Sequence, residues 1–298
     1  MEKVLVIVGQ TAVGKTSMSI KLASNLNGEI INGDAMQVYK NLNIVTDKIK
    51  KENMGNIPHH LFDIKEINED YSVEEYQRNI RKVISEVTNN NKLPIIVGGT
   101  GLYVKATLYD YTFEKQEISN KEVEEKYKDY SNDELYDILL KIDPKSCETI
   151  HKNNRRRVLR AIAIYETSGV SKSSNIENQK HEMLYDAIII CLTLDKEIIN
   201  NKIDQRIEEM FDEGLIEEVK NNPTTSTASK AIGYREVSDY LNGLISLDEA
   251  KQLMKVHTHQ YAKRQRTWFK NQLPVHFVNN DENAYDTIIN IIKEKWSN

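Results

Sequence analysis

The chain has 298 residues, enough for one large domain or two modest ones, each with a buried core. Its 40 Lys and Arg residues against 45 Asp and Glu residues give a net charge of -5, which excludes a uniformly basic coat for nucleic acid but leaves room for a local basic patch. With 39% hydrophobic and 29% charged residues, the composition is typical of a globular protein and excludes a disordered chain.

The cysteines and the apolar runs indicate the compartment. Cys147 and Cys191 lie too far apart in the sequence for a CxxC zinc knuckle or a disulfide framework, and they fit a reducing environment. The first apolar run covers only residues 4–8, whereas a spanning helix needs about 20 apolar residues. We therefore expect a cytoplasmic protein with no membrane partner.

The amino-terminal part alternates strands with helices. Short apolar runs predict buried strands at residues 3–8, 29–31 and 94–97, and apolar residues at helical spacing predict helices at residues 16–26 and 71–88. This alternation favours βαβ units and a parallel sheet.

The pattern changes after Asp110. Residues 114–137 carry nine acids against four lysines and little strand signal, which predicts an acidic, solvated helical insertion. The strand signal returns at residues 187–194 and again at residues 275–278. The predicted division is a first core part at residues 1–113, a helical insertion at residues 114–182, and a second core part at residues 183–298.

A phosphate-binding loop follows the first predicted strand. GQTAVGKT fits the pattern GxxxxGK[ST] at every fixed position, with a strand before it and a helix after it. In such a loop the backbone N–H groups form an anion site, Lys15 adds a positive charge, and the Thr16 hydroxyl can bind Mg²⁺. The alternative is a glycine-rich turn that binds nothing. The candidate phosphate-binding residues are Gly9, Gln10, Thr11, Ala12, Val13, Gly14, Lys15 and Thr16.

The predicted fold class is therefore α/β: a parallel-sheet core like that of the P-loop NTPases, flanked by helices, with a helical insertion domain. The parts that hydrolyse nucleotides are not visible. No glycine follows an Asp in the spacing DxxG, and the NKxD-like residues 201–204 lie inside a helical pattern. No acid directly follows the strand at residues 94–97, where a Walker B acid is expected. The sequence predicts polyphosphate binding without hydrolytic machinery.

Polar residues follow the next two strands. Because the carboxyl ends of parallel strands meet at one edge of a sheet, we expect Asp34 and Thr100 to lie near the phosphate loop. Asp34 has three interpretations at this point: a magnesium ligand, a general base, or the cap of the next segment. Thr100 offers a hydroxyl to a site and can also cap a helix.

Two segments predict basic helix faces. Residues 151–160 contain five Lys or Arg and no acid, and Arg156, Arg157 and Arg160 share one side of a helix. Residues 251–270 contain six Lys or Arg and no acid, which predicts a cationic stripe exposed to solvent opposite a packed apolar stripe. The cationic stripe consists of Lys251, Lys255, His259, Lys263, Arg266 and Lys270. We favour an RNA- or phosphate-binding face over an ordinary solvated face.

Two further arginines are candidates for anion binding. Arg264 falls on the apolar side of the second helix, where it can point inward at an anion or extend to solvent. Arg235, just past the glycine of AIGYRE, can fork onto a phosphate, although its spacing alone is a weak signal.

Seven segments occur in one order along nearly the whole chain: GQTAVGKT, GDAMQVY, PHHLFDI, LPIIVGGTGLYVKA, IHKNNRRRVLRAI, AIGYRE and YAKRQRTWF. Together they resemble the tRNA dimethylallyltransferases, also called tRNA isopentenyltransferases. The resemblance implies transfer of the dimethylallyl group from dimethylallyl diphosphate to the exocyclic N6 amine of an adenosine, with release of diphosphate. That adenosine lies immediately 3′ of the anticodon in tRNAs that read codons beginning with U.

The resemblance also implies residue roles. Asp34 would accept the proton of the adenine amine, while Gln37 and Thr100 would hold the flipped base. The loop at residues 9–16 would hold the diphosphate, with Lys15, Arg235 and a Mg²⁺ ion on Thr16 stabilising the leaving group. The predicted catalytic residues are Asp34, Thr100, Lys15 and Arg235. The predicted tRNA-binding residues are Asp34, Ala35, Met36, Gln37, Thr100, Arg156, Arg157, Val158, Leu159, Arg160, Lys255, His259, Lys263 and Arg266. We expect a monomer, because one anticodon arm presents no two-fold symmetry.

The chain departs from the family pattern in two places. Ala35 stands where the family usually has Ser, and residues 44–49 read IVTDKI where it usually reads IGTAKP.

Three other functions compete with this interpretation. They are prenyl transfer to free AMP, a small-molecule kinase with an arginine-rich lid, and an RNA-binding module without catalysis. Similar turnover on free AMP and tRNA would favour the first, and ATP-dependent phosphorylation of a product would favour the second. RNA binding without turnover would favour the third.

Overall fold

The computed structural model describes residues 1–113, 120–178 and 181–296 of the chain. Two compact units are present, one made of Met1–Tyr109 with Met183–Asn298 and the other of Asp110–Glu182. Residues 114–119, at the start of the predicted acidic insertion, lie outside the described residues. The first unit is thus built from both ends of the chain.

The first unit contains a six-stranded sheet flanked by helices. Before the insertion its elements are β1 Lys3–Gly9, α1 Lys15–Asn25, β2 Gly28–Asn32, β3 His59–His60, α2 Val73–Asn89, β4 Leu93–Val97 and α3 Gly101–Leu108. In the second unit the helices are α4 Asn120–Lys126, α5 Asn132–Ile142, α6 Pro144–Cys147, α7 Arg155–Ser168 and α8 Lys172–Asn178. The first unit resumes with β5 Asp186–Thr193, α9 Lys196–Asp212, α10 Leu215–Asn221, α11 Tyr234–Leu241, α12 Leu247–Gln272, β6 His276–Asn279 and α13 Ala284–Trp296.

The strand order places the phosphate loop at the centre of the sheet. Across the described residues the order is β3-β2-β4-β1-β5-β6, and every pairing is parallel. Leu5 of β1 lies opposite Ile95 of β4 on one side and Ile188 of β5 on the other. Since ligands bind at the carboxyl ends of parallel strands, the segments after β1, β2 and β4 define the site edge. The predicted α/β class with a parallel sheet is confirmed.

The central strands of the sheet are apolar on both faces, as expected for a parallel sheet whose connecting helices cover both sides. Val4 to Val8 in β1 are all 0% exposed, and helices cover both sides of such a strand. Helix α2 shows how the flanking layer forms: Ser72 caps its first turn through the N–H of Glu75, and its buried residues recur at helical spacing. These buried residues are Tyr76, Ile80, Val83, Ile84 and Val87.

Strand β3 has no counterpart in the sequence predictions. It has only two residues, and Ile30 and Ile31 of β2 pair with His59 and His60. A two-residue strand is too short to show the alternation that a sequence analysis detects, so it forms only because β2 offers a free edge. Nε2 of His60 lies 2.7 Å from Oε2 of Glu29, and this contact joins β3 to β2.

The second unit has its own small core. Helices α5 and α7 pack through Leu135, Leu139, Val158 and Ile162, all of them 0% exposed. Arg155 begins α7 and donates to the carbonyl groups of the segment after α4, so its charge has a structural task. Within residues 1–113, 120–178 and 181–296, no helix combines the length and the apolar character needed to cross a membrane.

Candidate functional site

The phosphate loop between β1 and α1 has a backbone conformation that requires glycine at two positions. Gly9 and Gly14 have φ values of 143° and 92°, in the left-handed region that glycine tolerates. A Cβ atom at Gly9 would lie 2.6 Å from the carbonyl oxygen of Leu192 in β5, so a side chain there would clash with the sheet. The loop is therefore preformed by its contact with β5.

Lys15 lies over this loop. Its Nζ donates to the carbonyl oxygens of Gly9 at 3.1 Å and of Gln10 at 2.7 Å. Burial lowers the pKa of Lys15 to about 8, the Asp34 carboxylate partly opposes that shift, and the Arg206 guanidinium adds to it. Because Lys15 and Arg206 are both positively charged, they repel each other, and a bound polyanion would offset that repulsion.

A cavity of about 760 Å³ opens beside the loop. From the predicted phosphate-binding set, the cavity is lined by Thr11, Ala12, Gly14, Lys15 and Thr16. The other three, Gly9, Gln10 and Val13, are buried beneath the loop and shape it from within. The structure therefore divides the predicted set into a lining and a supporting part.

Asp34 follows β2 and lies on the cavity wall. The side chain of Asn32 clamps it, accepting from the Asp34 N–H at 2.8 Å and donating to the Asp34 carbonyl oxygen at 3.0 Å. Burial raises the pKa of the Asp34 carboxyl, an effect only partly offset by the N–H of Met36 and by Lys15. A carboxylate with a raised pKa is suited to accept a proton near neutral pH.

Gln37 and Thr100, which were predicted to hold the base, line the same cavity wall as Asp34. Ala35 and Met36 lie there too. The Thr100 hydroxyl accepts from the backbone N–H of Ala35 at 3.0 Å, which joins the segment after β4 to the segment after β2. The amide of Gln37 donates to the carbonyl oxygens of Thr46 at 3.0 Å and Asp47 at 3.2 Å. In this conformation the Gln37 nitrogen braces the neighbouring loop, and only its oxygen is left for a ligand.

Arg206 of α9 is a cavity cation that sequence reasoning missed. Its Nη1 lies 2.5 Å from Oδ2 of Asp47, and its Nη2 donates to the Thr11 hydroxyl at 2.8 Å. The buried Nε of Arg206 has no hydrogen-bond partner among the described residues. No local signal marks this residue, because it lies within a helix far along the chain from the loop that it contacts.

Arg235 does not reach the diphosphate site, so its predicted role is corrected. Its side chain is 82% exposed and lies 3.7 Å from Asp239 on the same helix. Gly233 starts α11 with a φ of 99°, and the neighbours Tyr234 and Glu236 take the buried positions. The same turn therefore directs Arg235 to solvent.

Helix α12 is oriented differently from the prediction. Lys251 and Lys255 both pair with Glu208 of α9, at 2.6 Å and 2.7 Å, and His259 lies 2.8 Å from Asp204. The first half of the predicted cationic stripe is thus partly buried and paired with carboxylates, because α9 packs against it. The prediction that this whole face is open to solvent is wrong. Lys263, Arg266 and Lys270 are exposed as predicted.

The packed face of α12 is also rotated from the apolar stripe that helical spacing predicts, which consists of Ala250, Leu253, Met254, His257, Tyr261 and Trp268. The buried residues of this helix are Ala250, Met254, Thr258, Ala262, Gln265 and Phe269. Arg264 lines the cavity and is also exposed to solvent, so features of both alternatives in the sequence analysis are present. Gln265 also lines the cavity, and no sequence pattern had indicated it.

On α7 the three arginines of the predicted tRNA-binding set are exposed, whereas two neighbours in that set are buried. Arg156, Arg157 and Arg160 are exposed on one face. Val158 is 0% exposed and Leu159 is 5% exposed, because both belong to the core of the second unit. Neither of these two side chains can contact a tRNA without unfolding that core.

The sequence departure at residues 44–49 has structural consequences. Asp47 forms the ion pair with Arg206, so the acid that replaces the usual alanine enters the cavity wall. Val45 packs beside Gly233, with its Cγ2 3.2 Å from the position that a Cβ there would take. Lys48, which matches the usual pattern, is 8% exposed and donates to the Tyr39 carbonyl at 2.6 Å. The segment at residues 44–49 therefore keeps the Lys48 hydrogen bond and gains the negative charge of Asp47.

Comparison with known proteins places this site among its relatives. Residues 37–272 match the family model "IPP transferase". The tRNA dimethylallyltransferase of Anoxybacillus flavithermus is 47% identical over 296 residues, which covers 98% of this chain and 95% of that protein. A tRNA dimethylallyltransferase of Bacillus licheniformis is 45% identical over 280 residues, covering 91% and 89% of the two chains.

Solved structures resemble this one over its whole length. The full-length tRNA isopentenylpyrophosphate transferase of Bacillus halodurans is 38% identical with a TM-score of 0.75, covering 99% of this chain and 97% of that one. A eukaryotic dimethylallyltransferase described as acting on tRNA is 28% identical with a TM-score of 0.83, covering 100% of this chain and 77% of that one.

Proposed function

This chain belongs to the IPP transferase family, and from that premise we propose that it is a tRNA dimethylallyltransferase. It transfers the dimethylallyl group from dimethylallyl diphosphate to N6 of the adenosine 3′-adjacent to the anticodon, in tRNAs that read codons beginning with U, and releases diphosphate. The observation that carries the proposal is that one cavity joins a phosphate loop to a carboxylate with a raised pKa.

The phosphate loop is suited to hold the donor. As the allylic C–O bond breaks, negative charge accumulates on the diphosphate, and Lys15 and the loop N–H groups stabilise it. Arg206 adds a second cation, since its Nη2 already lies 2.8 Å from the Thr11 hydroxyl at the loop. In this proposal Arg206 replaces Arg235, whose side chain is 82% exposed on the outside of α11.

Asp34 is suited to activate the acceptor. The exocyclic amine of adenine is a poor nucleophile, because its lone pair is delocalised into the ring. A positioned carboxylate that accepts its proton as the N–C bond forms accelerates such a step by about 10²–10⁴-fold. Thr100 and the oxygen of Gln37 lie on the same wall and would orient the base, which must leave the anticodon loop stack.

The residues present fit a magnesium ion bound with the substrate. Thr16 is exposed at the mouth of the cavity, where its hydroxyl is available as a ligand. The described residues contain no cluster of three metal-binding side chains, and Mg²⁺ sites in phosphate chemistry need few protein ligands because the phosphates supply the others. When bound, the ion would neutralise charge on the diphosphate.

Exposed arginines on α7 and exposed cations at the end of α12 would bind the tRNA backbone. Phosphate contacts of this kind position an RNA without reading its sequence. The acceptor must therefore be selected in the cavity, where one base can enter. We also propose that the protein acts as a monomer in the cytoplasm.

Mass analysis of tRNA nucleosides after incubation with dimethylallyl diphosphate and Mg²⁺ tests the proposal. We expect the mass of one dimethylallyl group on the adenosine beside the anticodon. The matched control is the same tRNA with guanosine at that position, which should gain nothing. Equal turnover on free AMP would replace the tRNA with a free nucleotide as acceptor. A phosphorylated product with ATP would replace prenyl transfer with a kinase reaction.

A further inference from the structure

Gln265 of α12 connects two loops of the cavity. Its Oε1 accepts from the backbone N–H of Thr11 in the phosphate loop at 2.9 Å, and its Nε2 donates to the carbonyl oxygen of Gly99 at 3.0 Å. The side chain is 5% exposed, so water does not compete strongly for either bond. Both ends of the amide are used by the protein, which leaves it little capacity to bind a substrate.

The backbone after β4 is shaped to receive this side chain. A Cβ atom at Gly99 would lie 2.2 Å from the Nε2 of Gln265, and one at Gly101 would lie 2.1 Å from the ring of Trp268. A side chain at either position would displace the Gln265 amide or the Trp268 ring from its place. Two glycines therefore permit the close approach that the Gln265 hydrogen bonds require.

The same loop continues to the acceptor side of the cavity. Thr100 follows Gly99, and its hydroxyl accepts from the N–H of Ala35, the residue after Asp34. Gln265 is therefore the middle of a connection that starts at Thr11 in the phosphate loop and ends beside the Asp34 carboxylate. The connection passes through two side chains and otherwise through backbone, so it is short and stiff.

We propose that Gln265 is a positioning residue that fixes the phosphate loop relative to the Asp34 wall of the cavity. The inference rests on the proposed function, in which the donor carbon is held from one side and the acceptor nitrogen from the other. Reaction between two bound groups depends steeply on their alignment, and a misplacement of about 1 Å can cost about 10²-fold in rate. Gln265 would control this alignment without touching either reactant.

Gln265→Met tests the role, because methionine fills a similar volume without the two hydrogen bonds. We expect the single-turnover rate constant at saturating substrates to fall about 10- to 10²-fold. The dissociation constants for inorganic diphosphate and for tRNA should change by less than about threefold, because no substrate contact is lost. Gln252→Met is the matched control: Gln252 is exposed on the same helix, and its replacement should change neither quantity.

Gln265→Glu tests one half of the connection. Its carboxylate still accepts from Thr11, but it cannot donate to the Gly99 carbonyl, so the rate constant should again fall while diphosphate affinity is retained. In the wild-type protein the Thr11 amide proton should exchange slowly with solvent even without ligand, since Gln265 holds it. That exchange measurement decides the geometry even where a variant fails to fold.

The outcomes separate this inference from the function on which it rests. An unchanged rate constant in Gln265→Met, a loss of diphosphate affinity that accounts for the whole effect, or rapid exchange of the Thr11 amide would each overturn the positioning role. Wild-type protein that does not prenylate tRNA would overturn the proposed function. The exchange rate of Thr11 would still report whether Gln265 holds the loop.

Discussion

The cavity beside the phosphate loop and the exposed end of α12 both carry positive charge, but in different surroundings. In the cavity, Lys15 and Arg206 lie near Asp34 and Asp47, and burial shifts the pKa of Lys15 to about 8. At the end of α12, Lys263 and the cations after it have no ion pair within the part of the chain that the structure describes. Charges in a partly buried site interact strongly, while exposed ones are screened by water and salt.

Helix α12 contains the same contrast within one element. Its first cations, Lys251 and Lys255, share the Glu208 carboxylate, which cancels one of their two charges. Its later cations are free to meet an RNA phosphate. The number of basic residues in a helix therefore does not measure its capacity to bind RNA, since a neighbouring helix can neutralise some of them.

The largest expected effect lies in the cavity, at Asp34. Asp34→Asn should lower the single-turnover rate about 10²-fold or more, because the amide cannot accept the amine proton. The affinity for tRNA should stay within a few fold of the wild type. Rapid-quench assays with saturating enzyme measure the rate, and Asp47→Asn, which changes the other cavity carboxylate, should slow it far less. An unchanged rate in Asp34→Asn would remove this residue from the mechanism.

Arg206 should matter more than Arg235. Arg206→Gln should weaken inorganic diphosphate binding about 10- to 10²-fold, since hydrogen bonds from a charged donor contribute about 1.5–3 kcal/mol. Arg235→Gln is the matched control and should leave binding unchanged, because its side chain is 82% exposed. Titration calorimetry with diphosphate distinguishes the two. The reverse order of effects would contradict the site described here.

The pH dependence of kcat/KM should report the cavity charges. Asp34 must be ionised to act as a base, so kcat/KM should rise through a pKa above the usual aspartate range, because burial raises it. Lys15 must be protonated to hold diphosphate, so kcat/KM should fall above a pH of about 8. The acidic limb should vanish in Asp34→Asn. A profile that lacks the acidic limb or the basic limb in the wild-type protein would argue against these assignments.

The smallest expected effects lie on the surface of α12. Lys263→Ala should weaken tRNA binding a few fold and lower the slope of log K against log salt by about 1. Lys255→Ala should change both quantities less, because Lys255 is only 19% exposed and is paired with Glu208. Filter binding over a range of salt concentrations compares them. Equal slopes for both variants would indicate that the exposed end of α12 is only solvated.

Much of the site could be predicted because its parts are local in sequence. The signal of the phosphate loop is contained in residues 9–16 and in the strand and the helix directly beside them. Asp34 was predicted from its position after a buried strand, since parallel strands end at one edge. The arginines of α7 were predicted from helical spacing, whereas Val158 and Leu159 were included as contacts only because the family resemblance covers the whole segment.

Arg206 and Gln265 could not be predicted in this way. Each lies on a helix whose local pattern shows nothing unusual, and each acts on the phosphate loop through a contact that joins distant parts of the chain. The paired half of α12 was missed for the same reason. Glu208 and Asp204 lie on α9, and only the packing of α9 on α12 brings them to the cations.

The sequence by itself determined the parallel α/β core, the anion-binding loop and the acid that follows the second strand, because each depends on neighbours along the chain. The tertiary structure alone decided which cation meets the loop, which lysines stay charged toward solvent, and that an amide from α12 spans the cavity wall. These depend on how helices pack, and packing brings together side chains whose separation in sequence carries no periodic signal.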